Sequence, residues 1–200
     1  MSLEALRQCS VGRPRECLAS LAHLAYQRGL VHATAGNASL RVPGGFLCTP
    51  SGSCLGDVRP IELVGVNDRW IPAPEQGVLS SEWRMHAAIF ERVAEANAVL
   101  HTHSHAATLL AVHQVGVPAV TPEAAYHLGV VRCLAPAEPG SVELAIAVGV
   151  AMGEGARAVL LGHHGCVAWG SDAREAFFRA ELLEATARLA WDLRQGGEPS

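Results

Sequence analysis

The segment VLHTHSHAATLL, residues 99–110, carries histidines at alternate positions: His101, His103 and His105. In a β-strand, side chains two apart point to the same side, so His101 and His103 share a face. Two imidazoles on one face are what a divalent transition metal needs. A catalytic zinc site takes three protein ligands and keeps one position open. A strand with two core or surface histidines has the same spacing, so the pair alone does not decide between metal and structure. His105 joins that face only if the strand continues. Ser104 followed by AATLLAV reads instead as a helix start, which turns His105 away.

Another imidazole is available from LLGHHGCVAWG. The apolar run AVLL leads His163 and His164 into a turn flanked by Gly162 and Gly165, and glycine allows unusual torsions and close backbone approach. In such a turn one histidine can face inward while its neighbour faces out; two exposed loop histidines are the alternative. SSEWRMH supplies a carboxylate. Ser80 or Ser81 reads as a helix N-cap, with Glu82 in the first turn, where free amides and the helix dipole favour an anion. Glu82 and His86 fall on one helix face. An ordinary serine cap with a first-turn acid explains the same residues. ATAGN and TPSG are small glycine-containing turns whose N–H and hydroxyl donors suit a phosphate, as do those of many loops.

These groups need a scaffold. Apolar spacing predicts a helix over 14–28 stopped by Gly29, a strand within ATAGNASLRV, and a second within GGFLCTPSGS. DVRPIELVGV reads as one helical turn and a strand, NDRWIPAPEQG as a surface connection, and SSEWRMHAAIFERVAEAN as a helix. AVLHTH is a strand, SHAATLLAVHQ a helix, and TPEAAYHLG a short helix. VVRCLAP is a strand, GSVELAIAVGVAMGEG a helix, AVLLGHHGCVAWG two strands about a loop, and SDAREAFFRAELLEATARLAWDLRQ a long closing helix. Strands and helices mix without regular βαβ alternation, which predicts an α/β fold with a mixed or mainly antiparallel sheet and helices packed on it. With 200 residues, half of them apolar, one domain over 1–200 has enough material for its core.

Composition removes several chemistries. All 15 basic residues are arginine. A chain without lysine has no Schiff-base lysine, no lysine-anchored pyridoxal phosphate and no Walker loop. Carbonyl chemistry here must rely on a metal or on other acids and bases. A net charge of -4 gives no electrostatic reason to expect nucleic acid or an anionic membrane. No apolar run is long enough to span a bilayer and the N-terminus has no signal-peptide core, so the expected location is cytoplasmic. The six cysteines form no C-x-x-C pair and are expected as reduced thiols.

Taken in order, TAGNASLR, TPSG, SSEWRMH, ANAVLHTHSHAATLLAV and AVLLGHHGCVAWG resemble the class II aldolase/adducin-fold family, from about residue 15 to residue 193. The likeness is strongest to its members that cleave L-fuculose 1-phosphate. The resemblance implies a three-layer α/β/α fold around a mainly antiparallel sheet. It implies that His101, His103 and His164 bind zinc, with manganese or cobalt as alternatives. Glu82 would ligate the resting metal and act as the base once substrate displaces it. The phosphate pocket would comprise Asn37, Ser51, Gly52, Ser80 and Ser81, with Thr34 nearby. The implied activity is cleavage of a phosphorylated ketose into glycerone phosphate and an aldehyde through a metal-stabilised enediolate. Decarboxylation of a sugar-acid phosphate, epimerisation and dehydration are alternatives on the same scaffold, and a non-catalytic adducin-like interaction domain is a further one. The family implies a homotetramer with the active site between subunits. Its aldolases carry a tyrosine from the neighbouring subunit that exchanges a proton with the aldehyde. An ungapped match puts Pro122 there, so Tyr126 becomes the candidate, with Glu123 beside it. The T-P opening itself is more like the decarboxylases.

Overall fold

The computed structural model describes residue 6, residues 12–69, residue 71 and residues 77–196. In chain order its strands are β1 Asn37–Val42, β2 Gly45–Cys48, β3 Val64–Asn67, β4 Ala98–Thr102, β5 Cys133–Leu134, β6 Ala158–Leu161 and β7 Gly165–Gly170. Its α-helices are α1 Pro14–Gln27, α2 Trp83–Arg92, α3 His105–Val112, α4 Pro122–His127, α5 Val142–Gly153 and α6 Ala173–Gln195. The strands form one seven-stranded sheet in the order β3-β2-β1-β4-β7-β6-β5. All neighbours are antiparallel except β5 and β6, which run parallel and are joined through α5.

Alternation along the strands creates two cores, one on each face. Ala98 and Leu100 of β4, Ala158 and Leu160 of β6, and Cys166 and Ala168 of β7 pack with α1, α3 and α6. The intervening residues Val99, Val159, Leu161 and Val167 pack with Met85, Ile89 and Phe90 of α2 and Leu144, Val148 and Met152 of α5. The result is the expected α/β/α sandwich. The alternation also decides where the histidines go: His101 follows Val99 by two residues and therefore faces the α2 side.

Several ends match their sequence signals. Gly29 takes a positive φ of 68° just after α1. Thr121, Ser141 and Asp172 cap α4, α5 and α6 by accepting from the N–H of Ala124, Leu144 and Glu175. The start of α2 differs. Glu82 itself occupies the N-cap position, and neither Ser80 nor Ser81 caps the helix. That helix also ends at Arg92, before the expected Asn97. The Arg41 guanidinium accounts for this by donating to the carbonyls of Phe90, Val93 and Ala96, while Val93 turns extended. The NDRWIPAPEQG connection lies partly outside the described residues. Cys48, Cys54, Cys133 and Cys166 are free, as expected, but Cys17 is disulfide-bonded, so the chain is not fully reduced.

Candidate metal centre

Four side chains converge at the ends of β4, β7 and α2. Glu82, His101, His103 and His164 each bring one ligand atom into a group whose members all lie within 4.8 Å of one another. Glu82 Oε2 is 3.0 Å from His101 Nε2, and Glu82 Oε1 is 3.4 Å from His164 Nε2. His103 Nε2 is 2.9 Å from His101 Nε2. The three rings stand edge to face, with centroids 4.7, 4.8 and 4.9 Å apart.

Each of these side chains has a local cause for its position. His101 lies opposite Asn37 on β1 and Val167 on β7, so the ladder sets its depth. Its Nδ1 lies 2.9 Å from the carbonyl of Cys166. Donation there leaves Nε2 free to bind a metal, the usual arrangement of a ligating histidine. His163 adopts a left-handed φ of 57°, which turns it out to Gln114 while His164 turns in. Gly165 permits the convergence: a Cβ there would meet the Thr102 carbonyl at 2.5 Å and His103 Cδ2 at 3.0 Å. His105 is exposed at the start of α3, outside the cluster.

Ionisation favours a cation. Burial pushes the Glu82 carboxyl up, but the charge and hydrogen bond of His101 and the charges of His164 and His86 hold it down at about 2. His103 is pushed down to about 4, by burial first and then by His101 and His164. Burial, with His101, also lowers His164. A carboxylate and neutral imidazoles are the forms that bind a divalent ion. Among the described residues Glu82 Oε1 and His164 Nδ1 are buried without hydrogen-bond partners. Three imidazoles and a carboxylate fit zinc, and manganese and cobalt are compatible with the same donors.

Residues 16–191 match the family pattern of the Class II Aldolase and Adducin N-terminal domain. The chain belongs to that family. A 5-methylthioribulose-1-phosphate/5-deoxyribulose-1-phosphate aldolase of Escherichia coli O45:K1 is 35% identical over 167 residues, covering 80% of this chain and 75% of the relative. A 3-oxo-tetronate 4-phosphate decarboxylase of Cupriavidus necator is 34% identical over 182 residues, covering 88% and 82%. A solved L-fuculose 1-phosphate aldolase superposes with a TM-score of 0.87 at 28% identity, covering 94% of this chain and 90% of that one.

In this class II aldolase/adducin chain two of the segments expected to hold phosphate, the TPSG turn and Ser80–Ser81, lie side by side. The Pro50–Leu79 bridge and the Ser51 N–H to Val78 carbonyl bond (2.8 Å) bring the TPSG turn beside Ser80 and Ser81. Gly52 has a positive φ of 69° in that turn. Ser80 is buried, while Thr34, Ser51, Gly52 and Ser81 are exposed. Asn37 is drawn closer to the Glu82 and histidine cluster: its Nδ2 donates to Glu82 Oε2 at 3.0 Å, and its Oδ1 has no partner among the described residues. A cavity of about 410 Å³ adjoins His164, walled by Pro136, Ala137, Glu138 and Pro139. Gly140, at the end of that wall, packs so closely on Ser81 that a Cβ would meet its carbonyl at 2.7 Å. Sequence reasoning missed this wall, whose only signal was a Pro- and Gly-rich segment.

Tyr126 is not brought to the cluster within one chain. It is 76% exposed on α4, and its carbonyl accepts from Arg157, which precedes β6 and so lies at the opposite end of that strand from His164. Glu123 is on the same helix and lines a different cavity, of about 710 Å³, between α4 and α6. That cavity is larger, but the Glu82, His101, His103 and His164 cluster lies elsewhere.

Proposed function

We propose that this protein is a divalent-metal-dependent class II aldolase that cleaves a phosphorylated ketose, of the L-fuculose 1-phosphate type, into glycerone phosphate and an aldehyde. The observation carrying this reading is the Glu82, His101, His103 and His164 cluster in a chain without lysine. Those four residues would hold the ion, zinc by donor type, and when bound it supplies a Lewis acid for the substrate carbonyl and for the charge left by C–C cleavage.

The chain's own residues do the rest. Thr34, Asn37, Ser51, Gly52, Ser80 and Ser81 hold the phosphate, which fixes the reacting carbons beside the ligands. In cleavage the C4 hydroxyl loses its proton as it becomes the aldehyde. The C3–C4 electron pair stays with C3, which is then protonated to give glycerone phosphate. Glu82 handles the proton at C3. Its hydrogen bond from Asn37 holds the carboxylate in place. Tyr126 of a neighbouring subunit is the candidate for proton exchange at the aldehyde oxygen, which requires a homotetramer with shared sites. No helix among the described residues is long and apolar enough to cross a membrane, and a cytoplasmic location fits a sugar-phosphate substrate.

A second reading, decarboxylation of a 3-oxo sugar-acid phosphate, is favoured by one feature. Thr121 and Pro122 open α4 where the aldolases carry their tyrosine, and the Cupriavidus necator relative is named as such a decarboxylase. Mass-spectrometric product analysis with ketose phosphates and 3-oxo sugar-acid phosphates separates the two. Glycerone phosphate with an aldehyde is the expected result; carbon dioxide release from the acids alone replaces the first reading with the second.

A further inference from the structure

The sheet fixes His101 directly, and His164 follows a turn closed by its own N–H to the Leu161 carbonyl at 2.9 Å. His103 is held differently. It lies past the end of β4, in the short link to α3. Its place therefore depends on where the first turn of α3 is anchored.

The first amides of a helix need acceptors from outside the helix. Ser104, at the N-cap of α3, supplies no side-chain cap to the first turn. The N–H groups of Ala106 and Ala107 donate instead to the two carboxylate oxygens of Glu184, each at 3.0 Å. Glu184 belongs to α6, which packs against α3 in the same core. Its side chain is only 14% exposed, with Arg188 one turn along the helix at 3.7 Å. A carboxylate at this helix end is favoured by the free amides and the dipole, and two parallel bonds fix direction as well as distance.

We propose that Glu184 is a positioning residue of the metal centre. By clamping the first turn of α3 to α6 it fixes His103 against His101 and His164, without touching the ion or the substrate. The inference rests on the reading of the cluster as a metal site.

A cap that serves only stability predicts a lower melting temperature with an unchanged metal affinity. The test uses the full chain, stripped of metal and titrated with zinc against a chromophoric chelator, then with cobalt to record the absorption of the bound ion. Glu184→Ala is expected to weaken zinc binding about 10- to 100-fold, the range for loss of a partner behind a metal ligand, and to alter the cobalt spectrum. Glu184→Gln keeps one acceptor oxygen and falls between; it carries the test alone if the alanine variant does not fold. Asp172→Ala removes the cap of α6, at the other end of the sheet. It is expected to lower the melting temperature while zinc affinity and cobalt spectrum stay as in the wild type. Wild-type affinity and spectrum in the Glu184 variants overturn the assignment and leave the metal centre standing. A wild-type protein that takes up neither ion removes the metal centre and the role of Glu184 together.

Discussion

Gly165→Ala adds one methyl group where β7 meets β4, and the structure specifies what it meets. The new Cβ would lie 2.5 Å from the Thr102 carbonyl oxygen, 3.0 Å from His103 Cδ2 and 3.4 Å from His101 Cε1. Ordinary contact begins at 3.4 Å, so the Thr102 carbonyl must retreat by the difference, about 0.9 Å. Gly165 does not have a positive φ, so the whole penalty is steric. Overpacking of this kind costs about 1–3 kcal/mol of stability. Thr102 directly precedes His103, so the displacement passes into the ligand set, and a misplacement near 1 Å lowers turnover by about 100-fold. Denaturant unfolding, zinc titration and steady-state turnover read the three consequences. Gly12→Ala is the control, since among the described residues nothing lies within 4 Å of a Cβ there and its φ is not positive. A Gly165→Ala protein with wild-type zinc affinity and turnover would refute the reasoning that close approach of these strand ends sets the ligands.

Other perturbations separate the remaining parts. Glu82→Gln is expected to lower turnover by about 10²–10⁴-fold while inorganic phosphate still protects the protein in thermal melts; near-normal turnover removes Glu82 from the mechanism. Arg41→Ala should cost about 2–3 kcal/mol in denaturant unfolding, because buried carbonyls at the end of α2 lose a charged donor, with zinc affinity unchanged. The metal-free protein should lose stability as pH falls below 6.5. Burial holds His86 at about 3 in the native state, so between those values the unfolded chain binds more protons. The slope contributed is about 1.4 kcal/mol per pH unit for this group. His86→Gln should flatten the stability profile by that amount, and an unchanged profile measured by unfolding at stepped pH would contradict it.

Much of this site was legible because its residues sit where local rules are strong. Alternation predicted His101 and His103 on one face, and both join the cluster although β4 ends at Thr102; the helical pattern after Ser104 turned His105 away. The glycines around His163 and His164 signalled a turn that separates two adjacent imidazoles, and the left-handed His163 does that. Local rules failed where a distant residue intervenes. Arg41 ends α2 early from the far side of the hairpin, and Asn37 turns to Glu82. Glu184 replaces the serine cap on α3 across a long stretch of chain. No spacing within a segment encodes such pairings. Ser80 and Ser81 read as caps because their types suit one, yet Glu82 occupies the N-cap position and points its carboxylate to the histidines.

The most direct test of the metal centre is the metal content of purified protein, wild type beside His101→Ala and His164→Ala. The prediction is about one divalent ion per chain in the wild type, loss of that ion in both folded variants, and turnover that disappears with a chelator and returns with zinc. Folded wild-type protein that cleaves its substrate at full rate with no bound ion would contradict it.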